Sequence, residues 1–253
     1  MLENIRLEIS YDGTGFHGWQ VQPDKRGGKI KEVRTIQGEV EKAVKRIFHL
    51  NVRIVYSGRT DKGVHARAQT ANFKVDTHIP LSSIKKALNT YLPEDIRVRK
   101  VKFASLDFHS RFSAKSKLYR YVILNRKEPD VFLRNYSWQV PDKLDVRMME
   151  KAAALLKGKK DFSSFTRKAS SYKSCVRKVK NISVKKSGRF VYIDIESEGF
   201  LWGMARNMVS LIVSAGLNRI DINGVSRIIR GKNRSLLGRP APAAGLFLKK
   251  VFY

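Results

Sequence analysis

Apolar and polar residues alternate at the amino terminus, where Ile5, Leu7, Ile9 and Tyr11 are separated by Arg6, Glu8 and Ser10, the two-residue period of a half-buried strand. The period then changes. After a basic, glycine-containing stretch from Pro23 to Arg34, Thr35 stands where a helix cap belongs, and Ile36, Val40, Val44, Ile47 and Phe48 recur at helical spacing. Val52–Tyr56 and Gln69–Phe73 are strand candidates that can pair antiparallel across the polar segment Ser57–Ala66. Ile84, Ala87, Leu88 and Tyr91 mark a second helix, stopped by Pro93, and Ile96–Phe103 alternates again. The order is β-α-β-β-α-β.

Past residue 105 the same order returns. Tyr119–Leu124 reads as a strand, Leu144–Leu156 as a helix, and Val176–Val184 and Phe190–Ile195 as strands. A helix from Phe200 to Ala215, a short one at Val225–Ile229 and a last strand at Gly245–Val251 complete the set. The pattern predicts an α+β protein of two ferredoxin-like domains, residues 1–105 and 106–253, joined near Ser105–Ser113.

With 253 residues, 42% of them hydrophobic and 29% charged, the chain can bury two cores and is neither a disordered tract nor built for lipid. The nearly apolar run Met208–Leu217 is about half the ~20 residues a membrane crossing needs. The amino terminus lacks the apolar core of a secretory signal. Cys175 is the only cysteine, which forbids an internal disulfide and suits the cytoplasm.

Charge changes the picture most. Lys plus Arg number 51 against 22 Asp plus Glu, a formal net charge of +29. Residues 106–253 carry the larger share, and Lys157–Arg189 alone holds twelve basic residues against Asp161, interleaved with Phe162, Phe165 and Tyr172. Basic and aromatic character together suggest RNA contact. Thermal adaptation also raises charge, but usually of both signs.

Few motifs carry chemistry. Gly13, Gly15 and Gly18 have the spacing of a dinucleotide-binding loop, but no helix opens at Gly18 and no acidic residue ends a suitable second strand. A tight turn that lets backbone approach RNA or another loop is the better reading. The five histidines never fall at ligand spacing, so no metal is expected. Ser57–Ala66 differs, because Arg59, Asp61, Lys62 and His65 are gathered with Gly58 and Gly63 in one loop between strands. Its flanking cations favour the Asp61 carboxylate, which can serve as nucleophile or base, although the Asp-Lys-Gly triplet also suits an ordinary turn. Arg206 is the only charge between Phe200 and Val213. It needs a partner if buried, with Asp61 the natural candidate, or else satisfies carbonyls of its own neighbourhood or snorkels to water.

The loop, taken with other segments, resembles the TruA family of tRNA pseudouridine synthases. Tyr11-Asp12-Gly13-Thr14-Gly15-Phe16-His17-Gly18-Trp19-Gln20 looks like its opening strand and turn, and the Asp61 loop is similar to its catalytic motif. Phe108–Ser113 with Tyr119-Arg120-Tyr121, Gly199-Phe200-Leu201 through Met204–Asn207, and Gly245–Leu248 follow in order along nearly the whole chain. The resemblance implies a positively charged catalytic cleft between the domains, Asp61 as the catalytic aspartate, Tyr119 against the target uracil, Arg206 holding Asp61, and Arg59 helping the uridine leave the stack. It also implies no cofactor, and a homodimer acting on the anticodon stem-loop of tRNA at positions 38 to 40. Whether Asp61 attacks the sugar or takes a proton from it stays open. Trp202 and Gly203 stand where many members carry a basic or histidine pair, and the Pro23–Arg34 loop, longer than in compact members, is expected to touch tRNA. Rival readings are the same reaction at another tRNA position and a tRNA-binding protein that has lost its chemistry.

Overall fold

The computed structural model describes residues 1–21, 23–24 and 31–253, in two compact units. The first comprises Met1–Lys115 and Leu248–Tyr253, and the second Ser116–Phe247. The 25–30 portion of the loop expected to meet tRNA lies outside the described residues.

The first unit follows its hydrophobic pattern. β1 (Leu2–Tyr11) buries Ile5, Leu7 and Ile9 completely on one face. A two-stranded ribbon, β2 (Pro23–Asp24) with β3 (Lys31–Glu32), precedes α1 (Ile36–Phe48). The Thr35 side chain accepts from Gly38 N–H at the start of α1, as its position predicted. β4 (Val55–Tyr56), β5 (His65–Asp76), α2 (Leu81–Tyr91) and β6 (Ile96–Ala104) follow. All pairings are antiparallel, with β1 between β5 and β6, and β4 on β5. Ile36, Val40 and Val44 of α1 and Ile84 and Leu88 of α2 are buried with the β1 residues, forming one core. β4 is shorter than the apolar run Val52–Tyr56 suggested, because Ile54 N–H donates 2.9 Å to the Glu41 carboxylate on α1 instead of joining a ladder.

Across β1 and β5 lies a buried polar set. Asn72 Nδ2 donates to Asn4 Oδ1 at 2.9 Å, and Asn4 Nδ2 donates to the Ser105 and Phe108 carbonyls at 2.8 and 2.9 Å. Ser110 donates from both N–H and hydroxyl to Asn72 Oδ1, at 2.9 and 2.6 Å. These bonds fix the segment that follows β6. The chain's end returns to the same unit, where Lys115 N–H donates to Phe252 O at 2.8 Å and Arg6 lies 4.2 Å from the Tyr253 ring centre.

The second unit contains β7 (Ser116–Leu124), β8 (Trp138–Gln139), α3 (Val146–Leu155), β9 (Gly158–Asp161), β10 (Val176–Ser187), β11 (Phe190–Ser197), α4 (Met204–Gly216) and α5 (Ile222–Arg230). β12 (Leu246–Phe252) begins in this unit and ends in the first. β7, β11, β10 and β9 pair antiparallel in that order, and β8 runs parallel to β7. Of α4, only Arg206, Ser210 and Ser214 escape full burial, the mark of a helix enclosed by its fold. The helix starts at Met204 rather than Phe200, since Gly203, at φ 74°, breaks the run before it.

Candidate active site

Asp61 sits on the connection between β4 and β5, half-buried, with Arg59 and Lys62 exposed on either side. Both ends of that connection are fixed. Upstream, Ser57 N–H donates to Thr70 O at 2.9 Å, its hydroxyl donates to Gln69 Oε1 at 2.6 Å, and Gln69 Nε2 donates to Gly58 O at 2.8 Å. Downstream, Val64 N–H donates to Asp61 O at 3.1 Å, closing a turn over Lys62 and Gly63. The Thr60 hydroxyl, beside Asp61, is hydrogen-bonded to the Tyr11 hydroxyl at 2.8 Å. Burial pushes the Tyr11 phenol above its usual range, against the opposing hydrogen bonds of Thr60 and Gln69, so this hydroxyl stays neutral beside the loop.

The turn after β1 presses on the loop from the other side. A Cβ at Gly13 would lie 2.1 Å from Val64 O, and one at Gly18, whose φ is 94°, would lie 2.6 Å from Thr60 O. Trp19 N–H donates to Thr60 O at 3.1 Å, and Gly13 N–H donates to Nδ1 of the buried His65 at 3.1 Å. The Trp19 ring, fully buried, lies 5.8 Å from Tyr11 and 5.3 Å from Tyr56. Gly13 and Gly18 therefore bring backbone against the backbone of the Asp61 loop, where any side chain would push it away. The Asp61 loop is built on a close-packed seat.

The second unit gathers the other candidates. Tyr119 on β7 is 7% exposed, with its ring edge-on to Phe200 at 4.9 Å. Arg120 next to it makes a bidentate pair with Asp194 on β11, both bonds 2.7 Å, and this pairing holds the guanidinium pKa up. Tyr121 is fully buried and donates to Pro242 O at 2.7 Å. Burial pushes its phenol well up, opposed by the charge of Arg206. Arg206 is partly buried, as its apolar helix led one to expect, and its Nε donates to Ala241 O at 2.6 Å. Ala241 N–H donates back to Arg206 O at 3.2 Å. Arg206 and Tyr121 thus clasp Ala241–Pro242. Of the residues singled out by sequence, Asp61 and Arg59 share one loop of the first unit, while Tyr119 and Arg206 belong to the second.

Other residues that shape the site lay hidden in the sequence. Tyr11, Trp19 and Thr60 look like core or turn positions, and only their joint approach to Asp61 reveals them. His109 Nδ1 accepts from the Arg111 and Phe112 N–H groups at 3.2 and 3.3 Å, and its ring stacks at 4.3 Å on that of Phe112, a residue 76% exposed. Among the described residues no three of His, Cys, Asp or Glu are grouped to hold a metal ion, and no helix is long and apolar enough to cross a membrane.

A family profile described as tRNA pseudouridine synthase matches residues 9–113 and 152–253, which include the Asp61 loop and α4. Over its whole length the chain is 41% identical to tRNA pseudouridine synthase A 2 of Clostridium tetani, covering 100% of both chains. The chain belongs to the TruA family of tRNA pseudouridine synthases. Further TruA relatives agree: tRNA pseudouridine synthase A of Thermoanaerobacter sp. strain X514 is 40% identical over 252 residues, covering 100% of both chains. That of Moorella thermoacetica is 41% identical over 249 residues, covering 98% of this chain and 99% of its own. As a TruA member the protein is an isomerase acting on tRNA, turning uridine into pseudouridine. Tyr119 falls in the stretch the profile leaves unmatched, 114–151, which the full-length relatives span.

Proposed function

We propose that the protein acts on the anticodon stem-loop of tRNA, at positions 38 to 40, with Asp61 as nucleophile. The observation that carries this reading is the seat of Asp61: a half-buried carboxylate between exposed cations, on a loop fixed at both ends and backed by Gly13 and Gly18. Such a group is held in place without being sealed from a substrate. The bond from uracil N1 to ribose C1′ breaks as Asp61 bonds to C1′. Uracil then turns, C5 displaces the carboxylate from C1′, the C5 proton leaves and N1 gains one, so no atoms are gained or lost overall. Neither redox carrier nor metal is required by that balance.

In this reading Tyr119 supports the uracil and accepts the C5 proton, directly or through water, and Arg206 pairs with Asp61. Arg59, exposed on the same loop as Asp61, supports the stack from which the uridine has been extruded, since a planar guanidinium stacks and binds phosphate. The two halves are ferredoxin-like; β1 lying between β5 and β6 with β4 paired to β5 supports this for the first unit. The protein works as a cytoplasmic homodimer, supported by the family resemblance, and the +29 charge supports RNA as partner. Sequencing of pseudouridines in tRNA from cells lacking the gene tests the position: uridines 38 to 40 should stay unmodified while other sites keep their pseudouridine. Modification persisting at 38 to 40 overturns it.

A further inference from the structure

The structure assigns Trp202, with Lys168, Tyr172 and Arg177, as a stacking seat for one unpaired base of the tRNA loop other than the target uridine. This rests on the anticodon stem-loop being the substrate. Trp202 leaves 43% of its surface exposed, whereas Trp19 is fully buried. A large exposed indole loses apolar burial, and what surrounds this one suits a base.

The backbone that carries the indole is anchored. The Trp202 main-chain N–H donates to the Tyr172 hydroxyl at 2.9 Å, and Gly203 turns the chain into α4 directly after it. Asn207 Nδ2 donates to Phe165 O at 2.7 Å, which ties the segment before Tyr172 to the first turn of α4. The Lys168 ammonium lies 5.2 Å from the Trp202 ring centre and the Arg177 guanidinium 5.7 Å from that of Tyr172. Two Arg177 bonds, from Nη1 to Ser174 O at 2.9 Å and to Val176 O at 2.7 Å, fix that guanidinium. Carboxylates do not compete: from Phe162 to Ile193 there is no acidic residue, the bounding Asp161 and Asp194 are paired with Lys232 at 3.4 Å and Arg120 at 2.7 Å, and Glu198 beyond them is paired with Lys178 at 3.5 Å.

An exposed indole with one cation beside it and a fixed guanidinium on the neighbouring Tyr172 suits a nucleotide, the ring taking the base and the cations its phosphates. A protein segment would gain little from so basic a rim unless it were acidic. Trp202 also stands four residues before Arg206, on the turn that leads into the helix presenting Arg206.

The test is binding of an anticodon stem-loop RNA at several salt concentrations. Trp202→Ala should weaken binding about tenfold, within the roughly 5- to 150-fold range expected for losing one stacked base, with an unchanged slope of log affinity against log salt. Lys168→Ala should reduce that slope by about 0.7 to 1. Trp202→Phe should keep most of the affinity but lose the RNA-dependent quenching of tryptophan fluorescence. On an RNA made abasic at the stacked loop position, wild type and Trp202→Ala should bind alike. Wild-type affinity for Trp202→Ala on every RNA, or an equal loss on a fully paired duplex of the same length, overturns the assignment. A wild-type protein that modifies uridines 38 to 40 while Trp202→Ala binds normally sinks this inference alone; one that leaves those uridines unmodified sinks the reading it rests on.

Discussion

At Gly18 a single methyl group decides whether Asp61 can sit where it does. The backbone there has φ 94°, and a Cβ would meet Thr60 O at 2.6 Å, so Gly18→Ala must either strain its own turn or push the Asp61 loop outward. The cost in stability should be about 1–3 kcal/mol, and pseudouridine formation should slow at least tenfold, because small misplacements of a reacting group carry large penalties. Thermal melting and single-turnover kinetics check both, and wild-type rates would contradict the seat described for Asp61. The loop itself is legible in the sequence, because Arg59, Asp61, Lys62 and His65 concentrate unlike charges in a few residues. Its support is not. Tyr11 continues the apolar alternation of Ile5, Leu7 and Ile9, so nothing local separates a core ring from one whose hydroxyl holds Thr60.

Among the elements, helices announce themselves because cap and stripe are local. Thr35 caps α1 as its sequence position implies. Strands are harder, since their partners lie far along the chain. β9, Gly158–Asp161, has no apolar alternation and exists through pairing with β10. β12 reads as the last strand of the second half, yet Leu248–Tyr253 fold with the first unit. The strands also carry a pH response. Tyr11 on β1, Tyr121 on β7 and Tyr253 after β12 have phenols pushed above the ordinary value of 10.0, by burial first of all. A folded-state pKa above the unfolded one gives stability that is full below about pH 10 and is lost as pH rises toward the folded value. Urea midpoints should therefore fall from pH 9 to pH 11. Tyr11→Phe should cost about 1 kcal/mol at pH 8 through the lost Thr60 bond while making the alkaline fall shallower. An equally steep fall in that variant would show that Tyr11 does not contribute to it.

For the whole molecule, charge and family lead to the same substrate by separate routes. The +29 excess, densest between Lys157 and Arg189, indicates a polyanion. The match of full-length relatives narrows it to tRNA. Composition alone cannot make that step, because a basic surface attracts any nucleic acid. The narrowing depends on the Asp61 loop and α4, whose residue types are too few to identify a reaction until the family is known. The central claim is that the Asp61 carboxylate performs the chemistry. Release of tritium from tRNA labelled at uracil carbon 5 measures it directly, since the label leaves only when carbon 5 is joined to the ribose. Wild type should release label, and Asp61→Asn should bind the same tRNA with similar affinity and release none. Release by Asp61→Asn at the wild-type rate would contradict the account.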